Sequence, residues 1–149
     1  MTIRDITQAD RETYFRLTAD FYESGAALKR VPDEHVENTF AQIIETSPYV
    51  RCLLAEEGER ILGYALLNFT WSMEAGGKVV WIDELYVSKD ARGKGVGEVL
   101  VRYVAHEYTG KAKSIRLEVT EENTGAQRLY ERLGFSFLPY LQMLKKLSD

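Results

Sequence analysis

Apolar residues recur at two spacings along this chain, and each spacing predicts a different element. In TIRDI, at residues 2–6, apolar and polar positions alternate as in a strand. Thr7 to Asp10 then offers capping side chains, and from Gln8 to Glu23 the residues Ala9, Tyr14, Phe15, Leu17, Phe21 and Tyr22 return at roughly helical spacing. Ser24-Gly25 ends that helix. Pro32 and Asp33 open a second one, whose Val36, Phe40, Ile43 and Ile44 make a single stripe until Ser47-Pro48 breaks it. Tyr49 to Ala55 and Arg60 to Trp71 are rich in aliphatic and aromatic residues, and the polar turn Glu56-Glu57-Gly58-Glu59 between them predicts a hairpin. The loop SMEAGGK leads into VVWIDELYV, a third strand expected to lie antiparallel to its predecessor. Beyond it the pattern predicts a helix from about Val96 to Tyr108, a strand at Ser114 to Val119, and a helix from about Thr124 to Leu133. Final strands are expected around Phe135 to Leu138 and Leu141 to Leu147. The expected fold is α/β, with a mixed, mostly antiparallel central sheet flanked by about four helices.

Composition narrows the function classes. The 149 residues fit one domain, 1–149, and 45% hydrophobic with 28% charged residues is enough for both a core and a wet surface. The net charge is -4 and no basic tract occurs, which argues against nucleic acid as a partner. The first ten residues are polar and no apolar run is long enough to span a bilayer, so neither a signal segment nor a membrane is expected, and the expected home is the cytoplasm. Cys52 stands alone, which excludes an internal disulfide and a cysteine-based metal cluster; in VRCLLA it reads as a buried strand residue. His35 and His106 lack the paired spacing of a zinc helix, so no metal is expected.

The strongest chemical signal is Arg92-Gly93-Lys94-Gly95-Val96-Gly97, set between a strand and an amphipathic helix. A helix N-terminus carries unsatisfied N–H groups and the positive end of the macrodipole, and glycines let a phosphate approach them. Two familiar phosphate loops fail on inspection. The nucleotide P-loop needs Ser or Thr after its lysine, whereas Lys94 is followed by Gly95; the dinucleotide fingerprint needs a third glycine where Glu98 stands.

Arg92-x-x-Gly95-x-Gly97 resembles the pyrophosphate loop of the GNAT superfamily of acetyl-coenzyme A-dependent N-acetyltransferases. A second stretch, Asn123-x-x-Ala126-x-x-Leu129-Tyr130-x-x-x-Gly134-Phe135, is similar to the signature that follows in those enzymes. The resemblance covers essentially the whole chain and is most specific from Val79 to Phe135. It implies that the backbone of Arg92, Gly93, Lys94, Gly95, Val96 and Gly97 surrounds the pyrophosphate of acetyl-CoA. It implies too that the pantetheine arm runs beside Leu85, Tyr86 and Val87, in a gap where the sheet splays toward the next strand. The resemblance also implies that Asn123 both caps the following helix and reaches toward the cofactor, and that Tyr130 donates a proton to the departing thiolate.

The strand before the loop carries Asp83 and Glu84. Simple alternation puts Asp83 on the face of Trp81 and Leu85, and Glu84 on the face of Ile82 and Tyr86. Acids in the middle of an apolar strand are costly to bury without a role. The strand resembles that of polyamine and diamine acetyltransferases, which makes Asp83 the first candidate base and Glu84 the alternate base or the amine-binding residue. An alkyl amine is neutral only about once in 2,500 molecules at pH 7, so a base has work to do. The acceptor, a small-molecule or protein amine, is expected near residues 22–30 and 71–77, where Glu23 and Glu74 could attract a cation. The resemblance further implies a homodimer. The alternative reading is a non-catalytic module that senses acetyl-CoA.

Overall fold

The computed structural model describes residues 1–148. Five strands form one sheet in the order β1-β2-β3-β4-β5: β1 (Thr2–Asp5), β2 (Val50–Glu57), β3 (Arg60–Ser72), β4 (Gly77–Val87) and β5 (Ser114–Leu117). The first four pair antiparallel and β5 joins β4 in parallel, giving the mixed sheet that the strand patterns imply. Four helices accompany it: α1 (Arg11–Glu23), α2 (Asp33–Ile44), α3 (Val96–Tyr108) and α4 (Thr124–Arg132). A short 3-10 turn at Gln8–Asp10 precedes α1, so the first three residues of the expected helix are wound more tightly. Between β2 and β3 the strands run on through Glu57 and resume at Arg60. Only Gly58 and Glu59 are left to turn, and Gly58 takes the positive φ of 62° that such a tight turn requires.

The sheet separates two apolar layers. On one face Leu53, Ala55, Ala65, Leu67 and Val80 pack against Val96, Leu100 and Val104 of α3. On the other, Cys52, Leu54, Tyr64 and Leu66 meet Tyr14, Leu17 and Phe21 of α1 and Phe40 of α2. Residues 52 and 54 therefore face opposite to 53 and 55, which is strand alternation at work, and Cys52 is fully buried as its setting suggests.

Two expectations about the chain's end need correction. β5 stops at Leu117 rather than Val119, and the strands expected around Phe135–Leu138 and Leu141–Leu147 are not formed. Alternation confers only the capacity to be a strand, whereas a strand exists by pairing. Residues 136–148 lie exposed, with no ladder partner among the described residues. No helix among the described residues is long and apolar enough to cross a membrane.

Candidate active site

The sheet opens where the sequence motifs converge. Pairing between β4 and β5 runs from Val79↔Ser114 to Ile82↔Leu117 and ends there, while β4 continues to Val87 against β3. From Asp83 to Tyr86 the main-chain edge of β4 facing β5 is thus free to hydrogen-bond an extended ligand. Beyond Val87 a short 3-10 turn, Lys89–Ala91, delivers the chain to Arg92 and the glycine loop. Gly93 and Gly95 have φ of 75° and 78°, in the left-handed region, and a Cβ on either would meet nothing within 4 Å. Gly95 is the N-cap of α3, and the N–H groups of Val96, Gly97 and Glu98 in its first turn have no intrahelical acceptor. The side chain of Arg92 is turned back onto the strand, its Nε donating to the Val87 carbonyl at 3.1 Å and its guanidinium 5.7 Å from the centre of the Tyr86 ring. These groups fit acetyl-coenzyme A: an open strand edge for an amide-bearing arm leads to unpaired N–H groups for a pyrophosphate.

The acids differ from simple alternation in an informative way. Glu84 pairs with Leu66 and Ile82 with Leu67, so Asp83 is an extra residue, a β-bulge in β4. The bulge reverses the sidedness of the strand. Ile82 packs with Val80 on the α3 face, whereas Glu84 and Tyr86 lie on the face of α1 and α2. Glu84 therefore does not share a face with Ile82, contrary to the expectation. Asp83 and Glu84 nevertheless line one cleft of about 280 Å³, together with Tyr14, Thr18, Tyr22 and Asn68.

Glu84 is buried, and both carboxylate oxygens are taken: the Tyr22 hydroxyl donates to Oε2 at 2.5 Å and the Tyr64 hydroxyl to Oε1 at 2.7 Å. Burial raises its pKa above the ordinary carboxylate value, the two phenols pull it down and Asp83 adds to the rise. Asp83 is exposed to solvent where it lines the cleft. Desolvation raises its pKa, Asn68 opposes that and Glu118 reinforces it. Sequence reasoning missed Tyr22, Tyr64 and Asn68 as neighbours of these acids. A larger cleft of about 520 Å³ lies between α1 and the turn after β4, lined by Arg16, Asp20, Arg60 and Lys89; Tyr86 is the one predicted site residue on it.

Helix α4 closes the other side. The Asn123 side chain accepts from the Ala126 N–H at 3.2 Å, a working N-cap, and Gln127 ties back to the carbonyls of Thr120 and Glu121. Tyr130 packs against the α3-side core, as Leu85, Val87 and Leu117 do, with its ring 5.7 Å from that of Phe135. Burial pushes its phenol up to about 12, which keeps it protonated and able to donate. α4 also abuts the glycine loop, since a methyl added at Gly97 would lie 3.6 Å from Leu129. Glu23 and Glu74 are engaged elsewhere, Glu23 with Arg30 and Glu74 with the Tyr140 hydroxyl. Among the described residues no group of three or more His, Cys, Asp and Glu is arranged to hold a metal ion.

Residues 6–135 match the model of the acetyltransferase (GNAT) family. The chain belongs to that family. It is an N-acetyltransferase that uses acetyl-coenzyme A as co-substrate. A thialysine N-epsilon-acetyltransferase of Bos taurus is 28% identical over 143 residues, covering 89% of this chain and 82% of that protein. A spermine/spermidine N(1)-acetyltransferase of Bacillus subtilis is 39% identical over 62 residues, 39% of this chain and 40% of that one. Among solved structures, AAC(6')-Iy in complex with a coenzyme A bisubstrate analogue superposes with a TM-score of 0.81 at 18% identity, covering 99% of this chain and 98% of that one. That likeness shows the fold. The relatives are named as enzymes, so the family GNAT transferases support catalysis rather than the alternative of a non-catalytic sensor.

Proposed function

We propose that this acetyltransferase acts on a small aliphatic primary amine, seated in the cleft between α1, α2 and β4. The observation that carries the reading is the pair Asp83 and Glu84, two acids on one cleft at the point where β4 parts from β5. Acetyl-coenzyme A supplies an activated acetyl thioester. The N–H groups at the start of α3 hold its pyrophosphate, and the free edge of Leu85 and Tyr86, running on beside Val87, holds the arm. Asp83, at the bulge that opens the gap, takes the proton from the acceptor ammonium; its contact with solvent lets that proton leave. Glu84 provides the fixed negative charge that anchors the cation. Tyr130 donates to the departing sulfur from the opposite side, and Asn123 holds the helix that carries it. The names of the relatives, thialysine and spermine acetyltransferases, favour an amine on a flexible chain, and the cleft of about 280 Å³ sits near the small end of ligand pockets. The enzyme works in the cytoplasm as a homodimer on this reading.

The test is a panel of polyamines, lysine analogues and peptide lysines incubated with acetyl-coenzyme A, with products read by mass spectrometry. Acetylation of peptides in preference to every small amine would overturn the acceptor class. Binding of the co-substrate alone is expected to raise Tm. Gly95→Val should weaken that binding about tenfold, because a side chain at φ 78° costs about 1–2 kcal/mol and intrudes on the phosphate approach. Lys94→Ala should change it less, since the contacts are main-chain; equal losses in a titration would contradict this division.

A second expectation concerns the phenols on Glu84. Tyr64→Phe removes a hydrogen bond that lowers the pKa of Glu84, so the carboxyl should stay protonated to higher pH. The acceptor KM should then begin its rise on acidification at a higher pH than in the wild type, with kcat little affected. A KM profile unmoved along the pH axis would remove Tyr64 from the anchor.

A further inference from the structure

The face of the sheet that carries α1 and α2 is only partly covered by them. They meet Cys52, Leu54, Tyr64 and Leu66, and beyond Leu66 the same face continues through half-buried Asn68 and exposed Thr70 of β3. Leu67 and Phe69, which alternate with these, belong to the α3-side core. In β4 and β5 the same holds: Val80, Ile82, Ile115 and Leu117 lie on the α3 side, so Trp81 and Arg116 between them face the side of α1 and α2. The pairings Asn68↔Trp81 and Trp81↔Arg116 set these residues in one row across three strands. The row begins at the cleft that Asp83 and Glu84 line, because Asn68 is part of its wall.

Arg116 is held in this row by an aromatic ring rather than by an acid. Its guanidinium lies 4.7 Å from the centre of the Trp81 ring, and the indole N–H of Trp81 donates to the Thr70 hydroxyl at 3.2 Å, which fixes the ring. Four arginines among the described residues are half-buried: Arg4, Arg11, Arg51 and Arg116. The first three are each ion-paired, whereas no ion pair among the described residues includes Arg116. Exposed Glu118, two residues on, is not paired with it either. A guanidinium so held keeps N–H donors for another partner, and their fork matches a carboxylate with two parallel hydrogen bonds. Trp81 stands two residues before Asp83, so the guanidinium over its ring is displaced from the acids by roughly 7 Å along the strand.

We propose that Arg116 binds a carboxylate of the acceptor, so that this acetyltransferase acts on ω-amino acids, molecules with a primary amine at one end of a short flexible chain and a carboxylate at the other. The proposal rests on the small-amine reading above and narrows it. The ammonium sits at Asp83 and Glu84, the carboxylate reaches Arg116, and the Trp81 ring supports the aliphatic chain between them. An amine and a carboxylate borne on one carbon are too close together to reach both ends, which disfavours α-amines. A diamine brings its second ammonium against the guanidinium, a like-charge contact that selects against it.

The test compares three acceptors of one chain length in steady-state acetylation: ε-aminocaproate, its neutral amide and hexamethylenediamine. Wild-type kcat/KM for ε-aminocaproate should exceed that for the amide by roughly 10- to 100-fold, the size expected of hydrogen bonds between charged groups. Arg116→Gln should bring ε-aminocaproate down to the level of the amide, chiefly through KM, and should change the amide far less. Arg116→Lys should restore part of the preference, and Arg116→Glu should turn it toward the diamine. A wild type that acetylates the amide or the diamine as efficiently as the carboxylate overturns the proposal and leaves the small-amine reading standing. If none of the three is acetylated, nor any other small amine, both fall. Equal losses for all three acceptors in Arg116→Gln would make Arg116 a packing residue and overturn the proposal as well. The wild-type comparison needs no variant, so it decides the question even if Arg116→Gln fails to fold.

Discussion

Asp83→Asn is expected to fold, to bind acetyl-coenzyme A as before, and to lose roughly 10² to 10⁴ in kcat at neutral pH, the usual cost of deleting a general base. The amide keeps the size of the carboxyl and the bulge keeps its backbone, since the register of β4 is set by pairing with β3 on either side of Asp83. The pH dependence gives the sign. Desolvation raises the pKa of Asp83 above the ordinary carboxylate value, so the wild-type kcat should fall as pH drops through that raised pKa and protonates the base. Above it the carboxylate is competent. The variant should lack this acidic limb, and its deficit should shrink at alkaline pH, where more of the amine arrives already neutral. Glu84→Gln should behave differently, raising KM for the acceptor more than it lowers kcat, because an anchoring charge acts on bound ground and transition states alike. If Glu84→Gln shows the large kcat loss and Asp83→Asn the KM effect, the two roles are exchanged.

The contrast between these neighbours shows what could be read from sequence and what could not. Features written within a few residues were legible: the helical stripes of α1 and α2, the cap at Asn123, the left-handed glycines ahead of α3, and the burial of Cys52. The bulge at Asp83 was not, because alternation is a rule for one strand and a bulge belongs to a pair. No local signal in WIDELYV says that β3 will skip a residue. The phenols on Glu84 were hidden for a related reason, lying 62 and 20 residues away at Tyr22 and Tyr64. Only the packing of α1 over the hairpin brings them together. The unformed strands at the chain's end make the same point in reverse, since an apolar stretch is no strand until something pairs with it, and no described residue does.

Tyr130→Phe tests the other half of the proton inventory. The substitution keeps the ring, and with it the packing against the α3-side core and the contact with Phe135, so Tm should change little. Burial alone raises the pKa of this phenol, with no hydrogen bond contributing, so deleting the hydroxyl is cheap for the fold. Burial lifts its pKa to about 12, so across the working range it is a neutral phenol with a proton to give. A thiolate leaving without that proton must carry its full charge in a site lined by apolar side chains. Removing the donor should therefore lower kcat and kcat/KM together by roughly 10² to 10⁴, as for an interaction made chiefly in the transition state, while the affinity for acetyl-coenzyme A stays close to that of the wild type. An acetyl thioester of an acidic thiol supplies the control, because its leaving group departs as the anion. With that donor the variant should recover most of its rate, whereas a deficit of the same size with both thioesters would mean that the hydroxyl serves the geometry of the site rather than the proton.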